Sequence, residues 1–144
     1  LVNKPFMQLS QLDFAEMLQN NLLGHVKMIQ KIVPLMPVKS HIVNIGSMGG
    51  FQGSQKFSGL SAYSASKSAL HTLTECLAAE FSGLEIAVNC LALGSAQTEM
   101  LEKAFPDYQS PVMAFEMGKY IADFALSGHK FFNGKILPVA HSTP

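Results

Sequence analysis

The sequence has little charge and no arginine. Acidic and basic residues together make up 14% of the 144 residues, whereas about 25% is usual for a soluble domain. Ten lysines balance ten acidic residues, so no basic surface of the kind that binds nucleic acid is expected. Without arginine, a bidentate guanidinium clamp on phosphate or carboxylate cannot form. Either the chain is unusually buried, or part of its surface packs against something outside it.

Cysteines, clustered histidines and long apolar runs are also scarce. Cys76 and Cys90 lack a CxxC spacing, which favours two buried free thiols in a reducing, cytoplasmic compartment. The five histidines show no HExxH spacing, so no metal site is expected. The most apolar helical stretch, residues 17–36, is interrupted by polar side chains and is not expected to cross a membrane. The first ten residues show no signal-peptide pattern.

What the sequence does contain is an alternation of helical and strand patterns. Apolar residues at helical spacing predict a helix from Ser10 to Pro34, with Ser10 as its N-cap. The β-branched run 41–47 predicts a strand that is buried on both faces. The same alternation continues with helices at 61–82 and 112–126 and strands at 86–93 and 135–140. The segment 95–111 is expected to be irregular or only partly helical, and it suits a mobile cover over a pocket.

This order predicts an α/β fold, with helices on both faces of one parallel sheet. A chain of this length suits a single domain. Ligands of such sheets bind beyond the carboxyl ends of the strands. Ser47 and Gly94 follow two of the predicted strands, so we expect the binding site beside them.

Tyr63 and Lys67 are four residues apart and therefore lie on one helix face. A phenol has a pKa of about 10, and a nearby ammonium lowers it toward the range useful for proton transfer. The spacing alone is a weak signal, because this composition gives roughly 0.2 such pairs by chance. A surface lysine that extends past a half-buried tyrosine is the alternative interpretation.

Ser47 and Asn21 are two further candidates. The Ser47 hydroxyl, at the end of a buried strand, can donate a hydrogen bond to a substrate oxygen where negative charge develops. Taken alone, Ser47 is more often a turn serine. Asn21 lies in mid-helix, where asparagine is disfavoured. Taken alone, it is more often a solvent-facing residue beside Asn20.

Together, these residues resemble the short-chain dehydrogenase/reductase family over nearly all of the chain. Residues 21–24 are similar to the asparagine motif of the family's fourth helix, and 42–47 to its serine-bearing fifth strand. Tyr63-Ser-Ala-Ser-Lys67 is similar to the YxxxK motif. Residues 88–94 and Thr98 resemble the sixth strand and the turn that holds nicotinamide, and 134–139 the seventh strand.

The resemblance implies an oxidoreductase that interconverts an alcohol and a carbonyl with NAD or NADP. Tyr63 would exchange the proton with the substrate oxygen, and Lys67 would hold the nicotinamide ribose and lower the tyrosine pKa. Ser47 would position the substrate oxygen, and Asn21 would hold a water that relays protons from Lys67. The resemblance also places four residues along the nicotinamide: Ile45, Gly94, Ala96 and Thr98.

Two family motifs are missing, GxxxGxG and NAG. The resemblance therefore implies that 1–144 is a single partial domain. It would be the C-terminal portion of a Rossmann-like doubly wound parallel sheet, without the dinucleotide-binding half and without useful turnover alone. A homodimer or homotetramer through the helices that bear Asn21 and Tyr63 is implied as well. The alternative is a truncated or non-catalytic binding or assembly module of the same fold.

Overall fold

A three-stranded parallel sheet is the centre of the chain, which we describe over residues 1–141 of a computed structural model. The strands are β1 (His41–Ile45), β2 (Ala87–Leu93) and β3 (Ile136–Val139), in that spatial order. His41 pairs with Ala87, and Leu93 pairs with Val139. The central strand β2 is almost wholly buried, as its apolar sequence predicts.

Helices cover both faces of this sheet. The main ones are α1 (Gln11–Leu18), α2 (Gly24–Ile32), α3 (Ser61–Glu80), α4 (Glu99–Ala104) and α5 (Ala114–Ser127). Successive strand residues point to opposite faces, so Asn44 faces α3, where its amide donates to Thr74 Oγ1 at 2.9 Å. His41 faces α5, where its Nδ1 lies 3.0 Å from the Ala125 carbonyl. The predicted α/β class with alternating strands and helices is confirmed.

The first long helix begins where the sequence predicts but is not continuous. At its start, Ser10 Oγ accepts from the Asp13 N–H at 3.1 Å and the Asp13 carboxylate accepts from the Ser10 N–H at 2.8 Å. This reciprocal pair satisfies two N–H groups that have no partner inside the helix. A π-helical turn, Gln19–Leu23, then separates α1 from α2, and such turns are frequent at functional sites. The helix ends in a 3₁₀ turn that contains Pro34.

Asn89 connects β2 to both neighbouring segments. Its amide nitrogen donates to His41 Nε2 at 2.9 Å and to the Phe132 carbonyl at 2.8 Å, and its Oδ1 accepts from the Lys135 N–H at 3.0 Å. Asn89 is fully buried, where unpaired polar groups are costly. Its three bonds therefore hold the turn before β3 against the sheet.

The surface differs from expectation at two places. Cys90 is buried as predicted, but Cys76 is exposed, because it lies on the face of α3 that points away from the sheet. Several large apolar side chains are also exposed, among them Met28, Phe115, Leu126 and Phe131. Within residues 1–141, no helix combines the length and the apolar character needed to cross a membrane.

Candidate active site

Tyr63 and Lys67 occupy the first two turns of α3, directly beside the end of β1. Each side chain is only 9% exposed, so the interpretation of Lys67 as a surface lysine is wrong. The Tyr63 ring packs in an apolar cluster with Met17 of α1 and with Ala62. Lys67 Nζ lies 6.0 Å from the centroid of that ring. The helical spacing thus places a phenol and an ammonium together out of solvent.

The Lys67 ammonium is held against the last residue of β1. It donates a hydrogen bond of 2.8 Å to the Ile45 carbonyl. An ammonium has three donors, and no other protein acceptor for Lys67 occurs within residues 1–141. Burial lowers the pKa of Lys67, because the charged form is disfavoured away from water. Two buried donors therefore remain available for the hydroxyl groups of a ligand.

Ser47 and Tyr63 meet at Gly49. The Ser47 hydroxyl accepts from the Gly49 N–H at 3.1 Å, so it does take part in the turn after β1. A Cβ placed on Gly49 would lie 3.4 Å from Ser47 Oγ and 3.6 Å from Tyr63 Cε1. Two hydroxyl-bearing side chains consequently converge on one small region of backbone.

The acidity of Tyr63 differs from the prediction. Burial raises the pKa of its phenol, and a hydrogen bond with the Ser47 hydroxyl only partly opposes that shift. Lys67 is not among the causes of this shift. The lowering of the pKa by Lys67 that the four-residue spacing predicts is not seen in this structure. Tyr63 is a neutral phenol at neutral pH, which is a proton donor.

Asn21 lies in the π-helical turn and contacts α3 at Ser66. Its amide nitrogen donates to Ser66 Oγ at 3.0 Å, and Ser66 Oγ donates to the Tyr63 carbonyl at 2.7 Å. Asn21 is half-buried, so the solvent-facing interpretation is wrong. Within residues 1–141, no hydrogen bond joins Asn21 to Lys67. The structure therefore brings Asn21 to the backbone that carries Tyr63, and its role toward Lys67 stays a prediction.

Two histidines that the sequence analysis missed lie close to Lys67. His25 Nδ1 and His71 Nε2 are buried and have no hydrogen-bond partner within residues 1–141. Burial lowers the pKa of both rings, and the charge of Lys67 lowers it further. His25 follows Asn21 by four residues and His71 follows Lys67 by four, so the same helical spacing could have found them.

The residues predicted to line the nicotinamide fall into two groups. The Ile45 carbonyl accepts a hydrogen bond from Lys67. Gly94, Ala96 and Thr98 come after the end of β2 in the chain. The Gly94 N–H donates to the Val139 carbonyl at 2.9 Å, and a Cβ on Gly94 would lie 2.8 Å from that of Ala140. Thr98 Oγ1 accepts from the Leu101 N–H at 3.2 Å as the N-cap of α4. Ala96 lies half-exposed between them.

A cavity of about 860 Å³ lies beyond the carboxyl ends of the strands. We call it the strand-end cavity. Residues at the end of each strand form part of its wall. These are Gly49 after β1, Gly94 and Ser95 after β2, and Pro138 and Val139 at the end of β3. Gly49 lines the cavity and adjoins Ser47 and Tyr63, so these two residues lie just behind the cavity wall. Such a cleft at strand ends is where parallel α/β sheets bind ligands.

Comparison with known proteins agrees with this geometry. A sequence model described as "short chain dehydrogenase" matches residues 1–109. The mouse protein named dehydrogenase/reductase SDR family member 4 is 32% identical over 152 residues, which cover 96% of this chain and 53% of the mouse protein. Galactitol 2-dehydrogenase (L-tagatose-forming) of Cereibacter sphaeroides is 49% identical over 63 residues, which cover 43% of this chain and 24% of that protein.

Solved structures show the same fold. The crystal structure of a short chain dehydrogenase from Burkholderia cenocepacia J2315 in complex with NADP has a TM-score of 0.82 at 23% identity, and the match covers 95% of this chain and 59% of that one. The chain spans about half the length of the mouse relative. Since the family's sequence pattern covers residues 1–109 of the 144, this chain belongs to the short-chain dehydrogenase family.

Proposed function

We propose that this chain carries the catalytic residues of an NAD- or NADP-dependent oxidoreductase that interconverts an alcohol and a carbonyl compound. The observation that supports it most is the group of buried Tyr63, buried Lys67 and half-buried Ser47 at the end of β1, beside Gly49, which lines the strand-end cavity. Family membership supports an oxidoreductase, and the NADP complex of the Burkholderia cenocepacia protein supports a nicotinamide cofactor.

Each polar group of the site has a distinct role in this reaction. The neutral Tyr63 phenol donates its proton to the carbonyl oxygen during reduction and takes it back during oxidation. The Ser47 hydroxyl donates a hydrogen bond to the same oxygen, where negative charge develops. When bound, a nicotinamide ring supplies or accepts the hydride.

The donors of Lys67 fit such a cofactor. Its two remaining N–H groups, buried beside the Ile45 carbonyl, suit the paired hydroxyl groups of a ribose. Gly94, Ala96 and Thr98 follow the neighbouring strand and form the other side of the proposed nicotinamide site. Asn21 is proposed to hold a water that connects Lys67 to solvent, from its position in the π-helical turn.

We further propose that residues 1–144 form a partial domain. Sequence outside them would supply the pyrophosphate site, and the chain alone would have no useful turnover. The missing glycine motif and the length of the mouse relative support this. Exposed apolar residues near the first helices, such as Leu23 and Met28, support a homodimer or homotetramer there. The free thiol of Cys76 suits the reducing cytoplasm.

The experiment is hydride transfer from NADH and NADPH to a panel of ketones, with a protein that contains these residues and a dinucleotide-binding half. Lys67→Met keeps the length of the side chain but removes its charge and donors. We expect a loss of kcat/KM of about 100-fold or more and a higher KM for the cofactor. The control is Lys27→Met, because Lys27 is exposed on α2, and it should match the wild type.

The alternative of a non-catalytic assembly module predicts a different outcome. The wild-type protein would then form its oligomer but transfer no hydride to any ketone of the panel. Equal turnover by Lys67→Met and Lys27→Met would also contradict the proposed site.

A further inference from the structure

We propose that the strand-end cavity takes a neutral and largely apolar alcohol or ketone, and that it discriminates against anionic and polyhydroxylated substrates. This inference rests on the proposed function, because it names the substrate class of the same site. It is carried by three properties of the cavity wall as formed by residues 1–141: its aromatic mouth, its lack of lysine and the internal pairing of its hydroxyl groups.

Two aromatic rings from different segments meet at the cavity. Phe57, in the loop after β1, and Phe105, after α4, have ring centroids 6.1 Å apart at an interplanar angle of 64°. This edge-to-face contact is a favourable arrangement for aromatic pairs. Leu101, Val112 and Met117 add aliphatic surface below them. An apolar substrate that enters therefore gains free energy from leaving water, at roughly 25 cal/mol per Å² of buried apolar surface.

The wall has no lysine side chain within residues 1–141. Its ionisable side chains there are Tyr108, Glu116, Tyr120 and His141. The Glu116 carboxylate accepts from the Met113 N–H at 3.0 Å, which fixes a negative charge at the start of α5. Lys56, in the loop beside the cavity, is turned to the backbone, where its ammonium donates to the Phe51 carbonyl at 2.6 Å. A carboxylate or phosphate on the substrate would meet the like charge of Glu116, and no lysine of the described wall would neutralise it.

The hydroxyl groups of the wall are largely bound to one another. Ser95 Oγ lies 3.0 Å from the Tyr108 hydroxyl and 3.1 Å from Ser110 Oγ. Ser54 Oγ donates to the Phe51 carbonyl at 2.9 Å. A sugar alcohol would lose its hydrogen bonds to water and find few free partners here, which costs about 1–3 kcal/mol for each unsatisfied group. Gln55 and Tyr120 provide the other polar side chains.

The proposed substrate class differs from the substrate for which one relative is named. The Cereibacter sphaeroides protein is named for galactitol, and its 49% identity extends over only 63 residues. The cavity wall of the present chain depends on residues from Met48 to His141, a longer stretch than that match. The match to this polyol dehydrogenase therefore does not indicate that the present chain acts on a polyol.

The test compares two pairs of substrates in the protein that contains this chain with its dinucleotide-binding half. Acetophenone and its para-carboxylate are the neutral and anionic ketones for reduction, and 1-phenylethanol and galactitol are the apolar and polyhydroxylated alcohols for oxidation. We expect kcat/KM for acetophenone to exceed that for the carboxylate by at least about tenfold, and kcat/KM for 1-phenylethanol to exceed that for galactitol. Phe105→Ala should raise the KM for acetophenone about tenfold, whereas Phe131→Ala, at a ring 79% exposed and outside the cavity wall, should leave it unchanged.

Glu116→Gln gives a second variant for the charge argument. Removal of the carboxylate should improve kcat/KM for the anionic probe relative to acetophenone. Equal kcat/KM for the two ketones in the wild type, or a preference for galactitol, would overturn the proposed substrate class.

Failure of the proposed function can be distinguished from failure of this inference. If no substrate is turned over, titration of the chain with 1-phenylethanol by NMR tests the cavity directly. Methyl signals of Leu101 and Met117 should shift in the wild type and shift less in Phe105→Ala. Absence of any shift would overturn the inference, and a shift without turnover would contradict only the proposed catalysis.

Discussion

Gly50 is where the turn after β1 packs most closely against α3, so we predict that Gly50→Ala destabilises the fold. A Cβ on Gly50 would lie 2.6 Å from the Ser68 nitrogen and 2.7 Å from the Lys67 carbonyl carbon. Both atoms belong to helix backbone, which cannot turn aside as a flexible side chain can. Overpacking of this kind costs about 1–3 kcal/mol. The turn must move outward instead, and it carries Ser47, whose carbonyl accepts from the Gly50 N–H at 3.0 Å.

The assay is equilibrium unfolding of the chain in urea, followed by circular dichroism. Gly118→Ala is the matched control, because nothing lies within 4 Å of a Cβ on Gly118 and alanine favours a helix by roughly 0.5–1 kcal/mol over glycine. We therefore expect the free energy of unfolding to fall for Gly50→Ala and to rise slightly for Gly118→Ala. If Gly50→Ala were as stable as the wild type, the close packing of the turn on α3 would be refuted.

Three further predictions concern stability and thiol chemistry. Burial lowers the pKa of three histidines, His25, His41 and His71, from 6.5. The unfolded chain then binds more protons below about pH 6.5, so urea unfolding should show stability that falls from about pH 7 to about pH 5; a flat profile would contradict this. Asn89→Ala should cost at least about 3 kcal/mol, because it leaves the partners of three buried hydrogen bonds unpaired, while exposed Asn20→Ala should cost little. Iodoacetamide should modify Cys76 quickly and Cys90 slowly in the native chain, since burial raises the pKa of the Cys90 thiol to about 11; equal rates in mass spectrometry would show that Cys90 is accessible.

The strands, the main helices and the catalytic candidates could be predicted from the sequence. Strands β1 and β2 consist of short apolar runs without helical periodicity, and Ser10 with Asp13 forms the capping pair that the residue types predict. The order of elements then placed Ser47 and Gly94 at the same edge of the sheet. These features follow from local patterns, which the tertiary fold did not override.

Features that depend on tertiary packing could not be predicted in this way. The π-helical turn at Gln19–Leu23 could not be predicted, because an asparagine in mid-helix is disfavoured but does not specify a π-helical turn. The direction of the Tyr63 pKa shift depends on burial and on the hydrogen bond with Ser47, and both arise only in the folded chain. The pairing of Phe57 with Phe105 joins segments that are far apart in the sequence, so the apolar mouth of the cavity appears only in the structure.

The central claim is that Tyr63 exchanges the proton with the substrate oxygen. The most direct measurement is the single-turnover rate of hydride transfer in Tyr63→Phe, made in the protein that contains a dinucleotide-binding half. The substitution keeps the ring that packs beside Met17 and removes only the hydroxyl. We predict an unchanged unfolding midpoint and a rate lower by about 10²–10⁴-fold. A Tyr63→Phe variant that folds normally and transfers hydride at the wild-type rate would contradict the account.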